Sequence, residues 1–361
     1  VAAVDLPGFD NSAMDGYAFR FADWQEGRAM PIAGTALAGQ PFRGEVPQGT
    51  CLRIMTGAQV PEGLDTVIMQ EQTAQTADGV LFTQPPKAKA NIRYLGEEIR
   101  TGDVVLTAGT RLHARALPLL ATLGLPDVKV YRRLKVAIFS TGDELKQPGM
   151  PLHEGEIYDS NRYGIEAMLN RMGIECLNFG IIPDDPAQLR DTFIQAVQTA
   201  DAIITSGGVS VGEADYTKDL LLELGEVGFW SVAMKPGKPF AFGKIRDKHF
   251  FGLPGNPVSA FVTFYQLVQP ALRKLAGESA IEPLRLPAIA EHNFRSAKNR
   301  VDFQRGLISV NADGLITVRS TGAQGSGMFT SLCAANCFVI VEKDVPAGAS
   351  VTIELFNEIV I

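Results

Sequence analysis

Between residues 134 and 275, short apolar runs alternate with longer stretches of helical period, and this constrains the fold more than any other feature of the chain. Val136-Ala137-Ile138-Phe139, residues 176–182, Ala202-Ile203-Ile204, residues 240–243 and residues 250–253 read as strands. Residues 161–172, 186–199 and 258–275 read as helices, as does the stretch carrying Leu220, Leu221, Leu222 and Leu224, with Gly225 as its stop. Pro186 stands at a first helical turn, where its missing N–H is no loss. Strands alternating with helices imply a mostly parallel, doubly wound α/β sheet.

Four of these strands end in polar turns: STGDE, PDD, SGGVSVGEAD and LPGNP. In a parallel sheet all four share one rim, and ligands bind beyond the carboxyl ends of such strands. In the third turn, Ser206, Gly207, Gly208 and Ser210 are candidates for a backbone cradle, because glycine lets amides approach an anion closely. Glu213 and Asp215 follow in the same turn, and a carboxylate beside a phosphate invites Mg²⁺ as the bridge. Residues 235–239, KPGKP, hold two lysines in a stiff loop suited to an oxyanion.

With 361 residues the chain should hold two or three domains, since single cores stop growing near ~250–300 residues. A net charge of -7 argues against a nucleic-acid binder. The basic run VYRRLK, ending at Lys135, reads as a solvated edge. Cys51, Cys176, Cys333 and Cys337 lack the spacing of a zinc site and read as reduced core thiols of a cytoplasmic protein. No apolar run is long enough for a membrane span. Residues 1–103, rich in Gly and Pro with short apolar runs, form a β-rich arm. Residues 104–132 are a helical segment, with one amphipathic helix over 110–124 that needs a partner. The α/β domain occupies 133–282, and 283–361 return to short strands, with a hairpin turn at Asn311-Ala312-Asp313-Gly314, as a small β-barrel or sandwich.

In chain order, DNSAMDGYA, RIMTGA, STGDEL, YDSNR, SGGVSVGEADYTK, KPGKPFAFG, GLPGNPVSA, DFQRG and GAQGS resemble the molybdopterin molybdenumtransferase family, the MoeA proteins and the gephyrin E domain. The resemblance covers essentially the whole chain. It implies an elongated homodimer of four parts: a β-rich arm, a helical part, an α/β domain related to molybdopterin adenylyltransferases, and a C-terminal β-barrel. The chain resembles this plan without the first helical segment. The implied reaction is Mg²⁺-assisted insertion of molybdate into adenylylated molybdopterin with release of AMP. By position, Asp215, Glu144 and Asp184 match acidic residues of the site, Asp215 and Glu144 being the implied metal ligands. Asp15 and Thr56 match polar residues of the arm, which in the family faces the partner's α/β domain in a composite site. Lys235, Lys238, Ser259, Arg305 and Ser326 resemble a molybdate pocket, and Pro254 and Pro257 shape the cleft. Glu98 and Ser231 depart from the pattern, standing where relatives carry Asp and Lys. A molybdopterin adenylyltransferase is the implied substrate donor, with no nucleic-acid or membrane partner. Rival readings are a gephyrin-like scaffold without catalysis, or a nucleotide-binding adenylyltransferase.

Overall fold

The computed structural model describes residues 1–208, 216–279 and 282–360, with side chains outside 216–219 and 229–230. The chain divides into two compact units, Val1–Lys129 and Val130–Ile361.

The first unit is built on a four-stranded sheet in the order Ile32–Ala36, Cys51–Ile54, Gly16–Phe19, Thr66–Met69. Period-two alternation gives it two cores. Ala18, Leu52, Ile54 and Val67 pack on one side, and Tyr17, Phe19, Ile68 and Phe82 on the other. Gly16 pairs so closely with its neighbour that a Cβ there would run into the Ile68 carbonyl. The helix expected over 110–124 is confined to Ala116–Thr122. Pro118 explains the shortening: a helix continued upstream would drive its ring into the carbonyl of Ala114.

The second unit contains a six-stranded sheet in the order Glu175–Ile182, Lys135–Thr141, Ala202–Ser206, Lys248–Leu253, Pro239–Ile245, Gly225–Ser231. The first four strands are mutually parallel, and Pro239–Ile245 runs against both its neighbours. Val136, Ile138, Ala202, Ile204 and Phe251 meet residues of helix Asn161–Arg171 and of the long helix beginning at Pro257 on one face. Ala137, Phe139, Ile203 and Phe250 meet Leu189 and Phe193 of helix Pro186–Thr199 and Leu220 and Leu221 of helix Tyr216–Leu224 on the other. The long helix runs from Pro257 to Leu275 through a π-helical turn, Phe264–Val268. Pro270 follows that turn, which accommodates the hydrogen bond the proline cannot make.

Beyond it, Val301–Val310, Ile316–Ser320, Arg285–Ala290, Ser350–Leu355 and Cys337–Val341 pair in that order, and the last pairs back onto the first. This closes a five-stranded barrel and leaves no free edge in the ring. The short strand Met234–Lys235 lies parallel to Val301–Val310, with Lys235 opposite Asp302. Among the described residues no helix is long and apolar enough to cross a membrane. All four cysteines are free, Cys51 and Cys337 buried and Cys333 exposed, so the expectation of uniformly buried thiols fails at Cys333. Burial pushes the Cys51 and Cys337 thiols up to about 12.

Candidate functional site

The parallel strands end level. Ser206 pairs with Ser140 on one side and Leu253 on the other, and Thr141 pairs with Ile182. The polar turns after Thr141, Ile182, Ser206 and Leu253 therefore share one rim. Alternation along the strands turns Ser140 and Ser206 toward helix Asn161–Arg171. Ser140 Oγ donates to Asp159 Oδ1 at 3.1 Å, and Arg162 Nε donates to Asp159 Oδ2 at 2.8 Å. Arg162 Nη1 reaches Asn178 Oδ1 at 2.9 Å on the neighbouring strand. Asn161 Nδ2 donates both to Ser206 Oγ, at 2.8 Å, and to Gly255 O, at 2.7 Å.

Gly207 has φ 90° and Gly208 φ 65°, in the left-handed region where glycine carries no penalty. A Cβ at Gly207 would also crowd the carbonyl of Thr141. The Gly207 amide donates to Leu253 O at 3.2 Å. Among the described residues, Thr141 Oγ1, Thr205 Oγ1 and Asn161 Oδ1 are buried at this rim without a hydrogen-bond partner. Buried polar atoms are normally satisfied, so three such atoms at one rim fit a site that receives a polar ligand or water.

On the acidic side, the Asp184 amide donates to Asp143 Oδ1 at 3.1 Å. Partial burial first, then the neighbouring charges of Asp143 and Glu144, raise the Asp184 carboxyl above its ordinary value. Carboxylates that repel one another in this way suit a hard divalent cation, which relieves the repulsion. Among the described residues no three His, Cys, Asp or Glu side chains are arranged to enclose a metal. Asp215 and Ser210 lie outside the described residues.

A cationic region begins where the rim turns into the long helix. The Val258 amide donates to Ser326 O at 3.0 Å, which seats the loop carrying Ser326 on the helix N-terminus, beside buried Ser259. Pro257 opens that helix, and Pro254 is buried just before it. Arg305 is 1% exposed. Its Nε donates to Ser331 Oγ at 3.1 Å, and its Nη2 to the carbonyls of Gly325 at 3.1 Å and Ala323 at 3.3 Å. Nη1 makes no hydrogen bond among the described residues, and no carboxylate there stands within ion-pair distance of Arg305. Burial lowers the Arg305 pKa, with Asp302 opposing. Gln324 clasps the Arg305 backbone, accepting from its N at 2.8 Å and donating to its O at 3.1 Å.

The KPGKP loop packs against the same helix. Gly237, at φ 103°, leaves no space for a Cβ beside Thr263 Oγ1. Lys235 Nζ donates to buried Asp302 Oδ2 at 3.1 Å, and Gln304 Nε2 donates to the same oxygen at 3.1 Å. Lys238 is exposed and has no ion-pair partner among the described residues. Glu144 and Asp184 thus lie along one rim with Ser206, Gly207, Gly208 and Pro254. Ser259, Arg305 and Ser326 gather at the helix that leaves this rim, and Lys235 sits on the short strand that pairs with barrel strand Val301–Val310.

In the first unit, Thr56 donates to Asp15 Oδ1 through both its amide and its hydroxyl, each at 2.7 Å. These two bonds, hydroxyl first, together with Arg53, hold the Asp15 carboxyl below its ordinary value. Glu98 and Ser231 are exposed.

The comparisons with known proteins follow this division of the chain. Residues 1–124 match the MoeA N-terminal region, domains I and II. Residues 137–274 match a probable molybdopterin binding domain, and residues 287–356 match the MoeA C-terminal region, domain IV. The chain belongs to the MoeA family. It is similar to the molybdopterin molybdenumtransferase of Haemophilus influenzae, 50% identical over 99% of this chain and 90% of that one. It is 37% identical to the molybdopterin molybdenumtransferase of a Nostoc species, over 94% of this chain and 80% of the relative. Among solved structures it resembles the MoeA protein of Pyrococcus horikoshii OT3, with a TM-score of 0.83 and 28% identity, covering 99% of this chain and 90% of that one.

Four residues that organise the site were not singled out from sequence. Asn161 lay within the YDSNR motif, and Asp143 beside Glu144. Asp302 and Gln324 lay in DFQRG and GAQGS, but their partners are remote or backbone groups with no sequence signal.

Proposed function

We propose that this chain, a molybdopterin molybdenumtransferase of molybdenum cofactor biosynthesis, inserts molybdate into adenylylated molybdopterin and releases AMP. The arrangement that supports this is the run from the Ser206–Gly208 turn to the Pro257 helix. It joins a glycine cradle beside clustered carboxylates to the buried Arg305 through two contacts, Asn161 with Gly255 and Val258 with Ser326.

In this scheme the Gly208 amide and the Thr141 and Thr205 hydroxyls, which have no partner among the described residues, hold the pyrophosphate linkage. Glu144 and Asp215 would hold Mg²⁺, with Asp184 beside them. Bound there, the ion would supply positive charge to the pyrophosphate oxygens whose linkage breaks to release AMP. Lys235, Lys238 and Arg305 supply positive charge to the molybdate oxygens, and the Ser259 and Ser326 hydroxyls donate to them. Asp302 keeps Lys235 oriented, while the exposed Lys238 is free to close on an entering anion. Asp15 and Thr56 complete the site from the arm of a second copy in a homodimer, and a molybdopterin adenylyltransferase delivers the substrate. Incubating the protein with adenylylated molybdopterin, molybdate and Mg²⁺ tests this. AMP release that requires both ions is expected. Release independent of molybdate, or none at all, defeats the proposal.

A further inference from the structure

Asn161 is the first residue of helix Asn161–Arg171 and has no charge to offer a substrate. Its two amide protons are both committed, one to Ser206 Oγ and one to Gly255 O. Those acceptors belong to different strand ends: Ser206 begins the glycine turn, and Gly255 precedes the helix that carries the cationic region. The amide orientation is fixed by chemistry. Turned the other way, its oxygen would face the Gly255 carbonyl, and two acceptors would oppose each other at hydrogen-bond distance.

Asn161 is itself anchored. The next residue, Arg162, is 4% exposed and binds Asp159 through both its amide and Nε, and Asp159 also accepts from Ser140. Arg162 Nη1 ties the helix to Asn178 on the outer strand. One helix end is therefore fixed to the strands before it, and through Asn161 it fixes the two turns that follow. A clamp made only for stability would be expected to satisfy all its atoms, yet Asn161 Oδ1 is buried with no partner among the described residues. An open acceptor at the joint between the two turns suits a site completed by a donor from a bound molecule.

We propose that Asn161 is a positioning residue of the transfer reaction, holding the Ser206–Gly208 turn and the Pro254–Pro257 turn at a fixed separation. This rests on the function proposed above. A displacement of about 1 Å between reacting groups lowers rate on the order of 100-fold.

The test is Asn161→Asp, which preserves shape and removes both donors, read in two ways. Amide hydrogen exchange should accelerate roughly tenfold at Gly207 and Val258 together, whose amides bond to Leu253 O and Ser326 O, with the rest of the long helix unchanged. The kcat for AMP release should fall about 100-fold while KM for molybdate and for adenylylated molybdopterin stays within about threefold. In a Ser206→Ala background the same substitution should cost much less, because half of the clamp is already gone. Should Asn161→Asp fail to fold, Asn161→Ser, which can keep one of the two bonds, should give an intermediate loss. Exchange within twofold of wild type at both turns overturns the proposal, as does faster exchange with unchanged kcat. Uniformly faster exchange across the whole unit assigns Asn161 a general structural role and also overturns it. If the wild-type chain releases no AMP, the function proposed above fails, while the exchange arm still reports whether the clamp exists.

Discussion

Replacing Arg305 by methionine sets two large effects against each other. The side chain is 1% exposed and donates three hydrogen bonds, to Ser331 Oγ, Gly325 O and Ala323 O. Bonds from a charged donor contribute about 1.5–3 kcal/mol each, so the gross loss is about 5–9 kcal/mol. Against this, the wild-type protein keeps a charge in the interior without a carboxylate at ion-pair distance among the described residues. The burial cost of such an ion is several kcal/mol, and methionine fills similar space without it. The difference should leave a net destabilisation of about 1–3 kcal/mol. For a unit of this size, each kcal/mol lowers Tm by about 2–4 °C. The effect on oxyanion binding should be larger than the effect on folding. Nothing offsets the loss of Nη1 as a donor toward molybdate, and a lost charged hydrogen bond of about 2–3 kcal/mol raises KM roughly 30- to 150-fold. The assay is steady-state AMP release against molybdate concentration, beside a thermal melt of the same preparation. A molybdate KM within threefold of wild type, in a folded variant, would refute the assignment of Arg305 to the oxyanion pocket.

Other outcomes follow from the same geometry. Asp184→Asn should abolish or strongly reduce AMP release while leaving Tm equal or raised at pH 7, because it removes a carboxylate held above its ordinary pKa by burial and by Asp143 and Glu144; a clear fall in Tm would contradict this. Gly237→Ala should destabilise by about 1–2 kcal/mol or more, since its φ of 103° disfavours any Cβ and Thr263 blocks the space; a denaturant midpoint equal to wild type would show the loop is not held there. Asp201 is held at about 2, chiefly by its two bonds from Arg132. Its folded pKa lies below the unfolded one, so the stability it contributes is present above about pH 4 and lost as pH falls toward 2. Arg132→Ala should therefore destabilise slightly at pH 7 and by clearly less near pH 2, in parallel urea titrations; a difference that grew on acidification would reverse the sign of the linkage.

The parallel core was legible because burial on both faces leaves continuous apolar runs. Ala202-Ile203-Ile204 cannot be mistaken for an exposed edge, and Ser206-Gly207-Gly208 marks where it must stop. Helices 161–172 and 186–199 were read to within a residue of Asn161–Arg171 and Pro186–Thr199, since caps and periodicity are local signals. Strand Gly225–Ser231 was missed: two glycines weaken its pattern, and it forms because Pro239–Ile245 offers an edge to pair with. The π turn at Phe264–Val268 has no pattern of its own and follows from Pro270.

In the site, glycine turns, clustered acids and the KPGKP loop could be read because each is a short, chemically unusual string. The links among them could not. Lys235 meets Asp302 only because a two-residue strand joins the barrel. Asn161 reaches Gly255 across 94 positions. Such pairs depend on sheet order and barrel closure, which periodicity does not encode. Asp15 and Thr56 were likewise expected in the site, and their mutual hydrogen bonds account for their local structure without any ligand.

The central claim is that the oxyanion pocket and the pyrophosphate cradle are two ends of one cleft on the Val130–Ile361 unit. Crystals soaked in molybdate and measured on both sides of the molybdenum absorption edge test it most directly. An anomalous peak bounded by Lys235, Lys238, Ser259, Arg305 and Ser326 is the predicted result; ordered molybdenum elsewhere, with that pocket empty, would contradict it.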